Sequence, residues 1–238
     1  HVVVIGHALD DRHGANVLGS HGGLEYPALS ASDPAALEAL VPADAEVVVG
    51  LDTTLTADAA PLFAPVTSAA NTLPVAFADP HFVPFDWGWF AFVYDNAKLP
   101  NPPKSFTELA ASNLKIVIED PRSSTPGLGL LMWVKDAYGD RAPQVWADLA
   151  DNIVTVTPGW SEAYGMFLEG EADMVLSYTT SPAYHLIAEE DASKSAALFD
   201  EGHYLQVEVA GKVASTDQPA LADPVDQYSP GICRAIQK

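Results

Sequence analysis

Short runs of β-branched, apolar residues alternate along this chain with longer stretches whose apolar positions recur every three or four residues. That alternation predicts strands and helices in turn, an α/β fold. Residues 46–50 (EVVVG), 114–118 (LKIVI), 153–156 (IVTV) and 174–176 (MVL) read as strands. The last three each run into a tight turn and then a helical period: SSTPGLGLLMWVKDAY, PGWSEAYGMFLE and TTSPAYH. Proline near a helix start costs no hydrogen bond, so Pro126 and Pro182 mark starts, with Ser124, Thr125 and Ser161 as cap-type residues. Gly139 and Gly170 mark stops. Ser105 caps a short helix, Ala142, Val145, Trp146 and Leu149 give another amphipathic one, and residues 33–40 a further one with Asp33 as cap.

Two segments alternate over a longer span. Residues 83–94 (VPFDWGWFAFVY) place Phe90, Phe92 and Tyr94 on one side, and residues 201–209 (EGHYLQVEV) turn Leu205, Val207 and Val209 one way and polar residues the other. Both read as crossings between two α/β lobes. The expected division is residues 1–88 with 206–238 in the first lobe and residues 89–205 in the second.

At 238 residues and 48% hydrophobic content the chain buries a sizeable core. No apolar run approaches a membrane span, so membrane insertion is not expected. The net charge of −21 repels nucleic acid and anionic lipid. The single Cys233 excludes an intramolecular disulfide and a multi-cysteine metal site. His1, His7, His13 and His21 lack the spacing that a zinc site needs. The chain opens at His1 directly in strand-like VVVI, as a processed or partial chain would.

Three strand-to-helix junctions in series offer hydroxyls and free backbone N–H groups, which together favour phosphate or carboxylate. Trp160 and Tyr178 stand beside two of them, and their faces suit a flat or cationic ligand. Asp86 and Trp87 lie where the long aromatic strand is expected to emerge near a cleft. Catalytic signals are weak. The serines lack the G-x-S-x-G elbow, and neither a P-loop nor G-x-G-x-x-G is present. Glu119 and Asp120 are adjacent on a strand end and so point apart. His185 and His203 are candidate bases or satisfied structural histidines. Patterning alone reaches a two-lobed α/β binding protein.

FVPFDWGWFAFVYD (82–95), EDPRSSTPGLGLLMW (119–133), TVTPGWSEAYGMFLEGEADMVLSYTTSPAYH (155–185) and EGHYLQVEVA (201–210) closely resemble the periplasmic thiamine-binding protein family, the solute-binding components of bacterial thiamine ABC importers. The resemblance implies a type II periplasmic-binding-protein fold, with two lobes joined by hinge strands and a ligand cleft between them. It implies thiamine or a thiamine phosphate as ligand, a membrane permease as partner, the periplasm as location, a monomer, no cofactor and no catalysis. It places Ser124 and Thr125 at the alcohol or phosphate end, and Trp160 with Tyr178, Thr179, Thr180 and Ser181 around the ligand. Family members carry an early Asp-Gly contact that these first 45 residues do not show, and they continue past Lys238, so the first lobe is expected to be incomplete at its C-terminal end. Two other readings share the fold. A thiaminase-like transferase would need a cleft cysteine, and only Cys233 is available. An iron or polyamine carrier would use adjacent tyrosines or several carboxylates, for which Tyr178, Tyr184, Asp86 and Asp120 are the candidates.

Overall fold

The computed structural model describes residues 2–4, 45–66 and 74–216. The helix expected at residues 33–40, the four early histidines and Cys233 lie outside the described residues. The chain divides into two compact units, His1–Trp87 with Val207–Lys238, and Gly88–Gln206. Two strands run through the boundary: β3 (Phe82–Asp95) and β8 (Leu205–Lys212).

In the first unit, β1 (Val2–Val4) pairs in parallel with β2 (Val47–Asp52), which pairs antiparallel with β8, and β8 neighbours β3. The β2–β8 register shifts between Val49 and Leu51, where Gly50 takes φ 96°, the left-handed region that glycine tolerates. Val47, Val83, Phe85 and Ala210 form a core cluster, and the Phe63 and Phe82 rings meet at 4.9 Å. The alternation along β8 predicted a polar face. Gln206 and Glu208 are instead buried like Val207 and Val209, because this inner strand is covered on both faces.

The second unit places β3, β6 (Met174–Tyr178), β4 (Ile116–Glu119) and β5 (Ile153–Thr157) side by side in that order, with β7 (Lys194–Ala196) on the far end of β3. β4 is parallel to both β5 and β6, while β6 is antiparallel to β3, with Phe90 opposite Tyr178. The helices are α2 (Phe106–Ala110), α3 (Thr125–Tyr138), α4 (Ala142–Leu149), α5 (Trp160–Glu169) and α6 (Ser181–Ala188), after a four-residue α1 (Thr56–Ala59) in the first unit. Strand pleat sorts the core into two layers. Ile116 and Ile118 join Phe90, Phe92, Leu130, Trp133 and Leu149, while Val117 and Val175 face Ala163, Tyr164 and Phe167 of α5. Covered on both faces, β4 is apolar throughout until Glu119. β5 lies at the end of the strand order and leaves Val154 and Val156 exposed.

Glycine sets how closely α3 seats. A Cβ on Gly129 would fall 2.1 Å from the Phe90 ring, and one on Gly127 would fall 2.4 Å from the Glu119 carbonyl oxygen. Helix ends follow the expected chemistry at the glycine stops and at Ser105, but not at every expected cap. Gly139 and Gly170 close α3 and α5 at positive φ. The cap of α5 is Gly159, in extended backbone, not Ser161, which sits exposed inside the first turn. Ser105 does cap α2, its hydroxyl accepting from Glu108 N–H at 3.0 Å. Ser105→Ala is expected to cost about 1 kcal/mol, read as a lower denaturant midpoint at unchanged slope.

Candidate functional site at the ends of the parallel strands

Parallel strands β5, β4 and β6 end on one edge of the second unit, and α5, α3 and α6 begin there. The three junctions met separately in the sequence are therefore neighbours. Helix N-termini gathered beyond strand carboxyl ends form a region of partial positive charge.

Side chains lace the junctions together. Ser123 Oγ donates to the Pro158 carbonyl at 2.6 Å, and Asp120 N–H to Thr157 at 2.8 Å, tying the turn before α3 to the turn before α5. Trp160 Nε1–H donates to Ser177 Oγ at 2.9 Å, and Ser177 Oγ shares a 2.7 Å hydrogen bond with Ser181 Oγ, tying α5 to α6 through the end of β6. Ser181 Oγ also accepts from Tyr178 N–H at 3.3 Å. Thr179 N–H donates to the Trp89 carbonyl at 2.9 Å, fixing the third turn to β3.

The sequence-predicted residues fall into two sets. Ser124, Thr125, Trp160, Tyr178, Thr179, Thr180 and Ser181 all lie at these junctions. Asp86 and Trp87 belong to the first unit, at the end of its stretch of β3. Burial raises the Asp86 carboxyl above its ordinary range, against a 2.7 Å hydrogen bond from Trp87 N–H. Tyr178 packs on Phe90 at 5.1 Å and lies directly over Gly88, where a Cβ would approach to 3.2 Å. Trp160 is half-buried against Tyr164, ring centroids 4.8 Å apart. Ser124 stands at the cap position of α3, yet its hydroxyl makes no capping bond; it is buried without a partner. That is a donor and acceptor with nothing to satisfy it at a helix N-terminus.

Asp120 is no free carboxylate. Arg122 forks onto it at 2.9 and 2.5 Å and lowers its pKa to about 2, with the guanidinium itself largely exposed. This weakens a polyamine site and leaves a cation beside the junctions. Glu119, its neighbour, is buried with both carboxylate oxygens unpartnered, and burial raises its pKa well above the ordinary value. Both histidines weighed as bases are occupied. Phe199 N–H donates to His203 Nε2 at 3.1 Å, so Nδ1 carries the proton and donates to the Phe90 carbonyl at 2.7 Å. His185 Nε2 meets Tyr164 Oη at 2.8 Å and Nδ1 meets Glu189 at 2.6 Å.

Sequence reasoning missed Ser177 and the isolation of Glu119. The signal for Ser177 was a polar residue in an otherwise apolar strand, MVLSY, one position before its end. A cavity of about 120 Å³ among Asp95, Leu99, Leu114, Phe167 and Lys194 sits at the opposite end of these strands, away from every predicted residue.

The model for bacterial extracellular solute-binding proteins matches residues 46–229, a span that contains all three junctions. The chain belongs to that family. Among relatives of this solute-binding protein, the thiamine-binding periplasmic protein of Escherichia coli K12 is 54% identical over 200 residues, 81% of this chain and 61% of that protein. The thiamine-binding periplasmic protein of Haemophilus influenzae is 46% identical over 177 residues, 72% of this chain and 53% of that protein. A solved periplasmic thiamin-binding protein superposes with TM-score 0.78 at 48% identity, covering 87% of this chain and 68% of that one. The fold is the expected type II periplasmic-binding-protein fold. The resemblance drawn from the four sequence segments holds, and the chain spans 61% of the length of the E. coli relative.

Proposed function

We propose that this chain is a periplasmic solute-binding protein that captures thiamine or a thiamine phosphate and hands it to the permease of an ABC importer. It works as a monomer, without a cofactor and without chemical turnover. The observation that carries the reading is the three-helix junction, at which Ser124 leaves a buried hydroxyl unsatisfied. A phosphate or alcohol oxygen placed there accepts from helix N–H groups and bonds the Ser124 hydroxyl. Thr125, Thr179, Thr180 and Ser181 supply the remaining polar rim. The Trp160 and Tyr178 rings take the thiazolium and aminopyrimidine, a delocalised cation against electron-rich faces. Asp86 and Trp87 complete the proposed set of ligand-binding residues. The similar proteins named as thiamine-binding support both the ligand and the carrier role.

Isothermal titration of the 238-residue chain with thiamine is expected to give a dissociation constant tighter than about 1 µM. Absence of binding in that range overturns the ligand. Turnover on incubation with thiamine and an amine nucleophile overturns the carrier role. Ser124→Ala separates the two ends of the ligand. It is expected to weaken thiamine phosphate by about tenfold, the scale of a hydrogen bond to a charged group, and thiamine by less. Equal loss for both ligands moves the phosphate away from Ser124.

A further inference from the structure

We propose that Glu189, His185 and Tyr164 form a positioning relay that sets the plane of the Trp160 indole, a role that rests on the proposed contact between Trp160 and ligand. The residues repeat at four-residue spacing on two helices. Trp160 and Tyr164 share a face of α5, Ser181 and His185 share a face of α6, and Glu189, the C-cap of α6, continues that spacing. Two rungs join those faces. The outer rung runs from Trp160 Nε1 through Ser177 Oγ to Ser181 Oγ, at 2.9 and 2.7 Å. The inner rung is Tyr164 Oη to His185 Nε2 at 2.8 Å, with the two rings stacked at 5.7 Å and only 10° from parallel. Tyr164 then carries the alignment to Trp160, ring centroids 4.8 Å apart and planes 31° apart.

Glu189 decides how the inner rung is wired. Its carboxylate accepts a hydrogen bond from His185 Nδ1–H at 2.6 Å, and in the neutral imidazole that tautomer leaves Nε2 as acceptor for the Tyr164 hydroxyl. Burial keeps that phenol protonated and so able to donate. His185 is 3% exposed, and the carboxylate holds its ring in one orientation. Asp191, the other acid nearby, is not part of the relay. Its oxygens accept from Ser193 N–H, Ser193 Oγ and Lys194 Nζ at 2.8–3.2 Å. With Lys194 beside it and both His185 nitrogens bonded, the trio of His185, Glu189 and Asp191 is wired as a support and not as a cation site.

The test compares Glu189→Ala, Glu189→Gln and Tyr164→Phe in the 238-residue chain. The readouts are the near-ultraviolet circular dichroism assigned to Trp160 by difference against Trp160→Phe, melting temperature, and thiamine affinity. Glu189→Ala and Tyr164→Phe are expected to change the Trp160 signal and weaken thiamine by about three- to tenfold, the equivalent of one net hydrogen bond. Glu189→Gln, whose amide oxygen still accepts from Nδ1–H, is expected to restore both. A lower melting temperature with the Trp160 signal and affinity unchanged overturns the relay, since a purely structural contact does only that. If the wild-type chain binds no thiamine, the proposed ligand fails, and the Trp160 signal alone still decides whether the relay exists.

Discussion

Trp160→Ala is expected to weaken thiamine binding by roughly 1–3 kcal/mol, about five- to 150-fold, through lost stacking and cation–π contact. The indole is well placed for that effect. One edge is pinned by its N–H to Ser177, its ring rests on Tyr164, and it keeps a partly exposed surface at the mouth of α5. A side chain already held in place loses little entropy when a ligand stacks on it. The indole also packs on the Val117, Ala163 and Val175 layer, so the alanine variant is expected to melt lower as well. Trp160→Phe separates the effects. It keeps an aromatic face and much of the packing but loses the bond to Ser177, so its affinity is expected to fall between wild type and alanine. Titration of all three with thiamine checks this. Unchanged affinity in Trp160→Ala, alongside a lower melting temperature, moves the residue from the site into the core.

The parts legible in the sequence were those governed by local rules. Strand and helix alternation, the proline and glycine boundaries of α3 and α5, and the aromatic run of β3 each depend on residues within a few positions of one another. The three junctions of the candidate site were legible for the same reason, because each announces itself locally. What local rules do not carry is which strands become neighbours. Only the order β6, β4, β5 makes three junctions one place, and only that order puts Ser177 between Trp160 and Ser181. Asp120 shows the same limit from the other direction. It read as a candidate carboxylate, and Arg122, two residues on, folds back to occupy it. Ser161 read as a cap, but the cap falls two residues earlier, at Gly159 in extended backbone, and the helix begins at Trp160.

Glu119 is expected to make this protein lose stability as pH rises, opposite to the usual effect of a paired carboxylate. It ends β4 two residues after Val117, and pleat puts it on the layer of Val175 and Tyr164. There it is 1% exposed, with neither carboxylate oxygen partnered. Burial disfavours the charged form, so its folded pKa is raised well above about 4.5, while in the unfolded chain it titrates near that value. Above pH 4.5 the folded state therefore holds a proton that the unfolded state has released, and stability falls with pH. The contribution is fully present below about pH 4.5 and is lost as pH rises through the folded pKa. Glu119→Gln keeps the shape and removes the titration. Comparing the two proteins cancels every other ionising group that the substitution leaves undisturbed. Their stabilities are expected to be similar near pH 4.5 and to diverge above it, the glutamine form becoming the more stable and the higher-melting of the two by pH 8. Denaturant titrations at pH 4.5, 6 and 8 measure the divergence. Parallel curves would mean that the Glu119 carboxylate is solvated or paired in solution, and the end of β4 would then be open to water rather than sealed beneath α5.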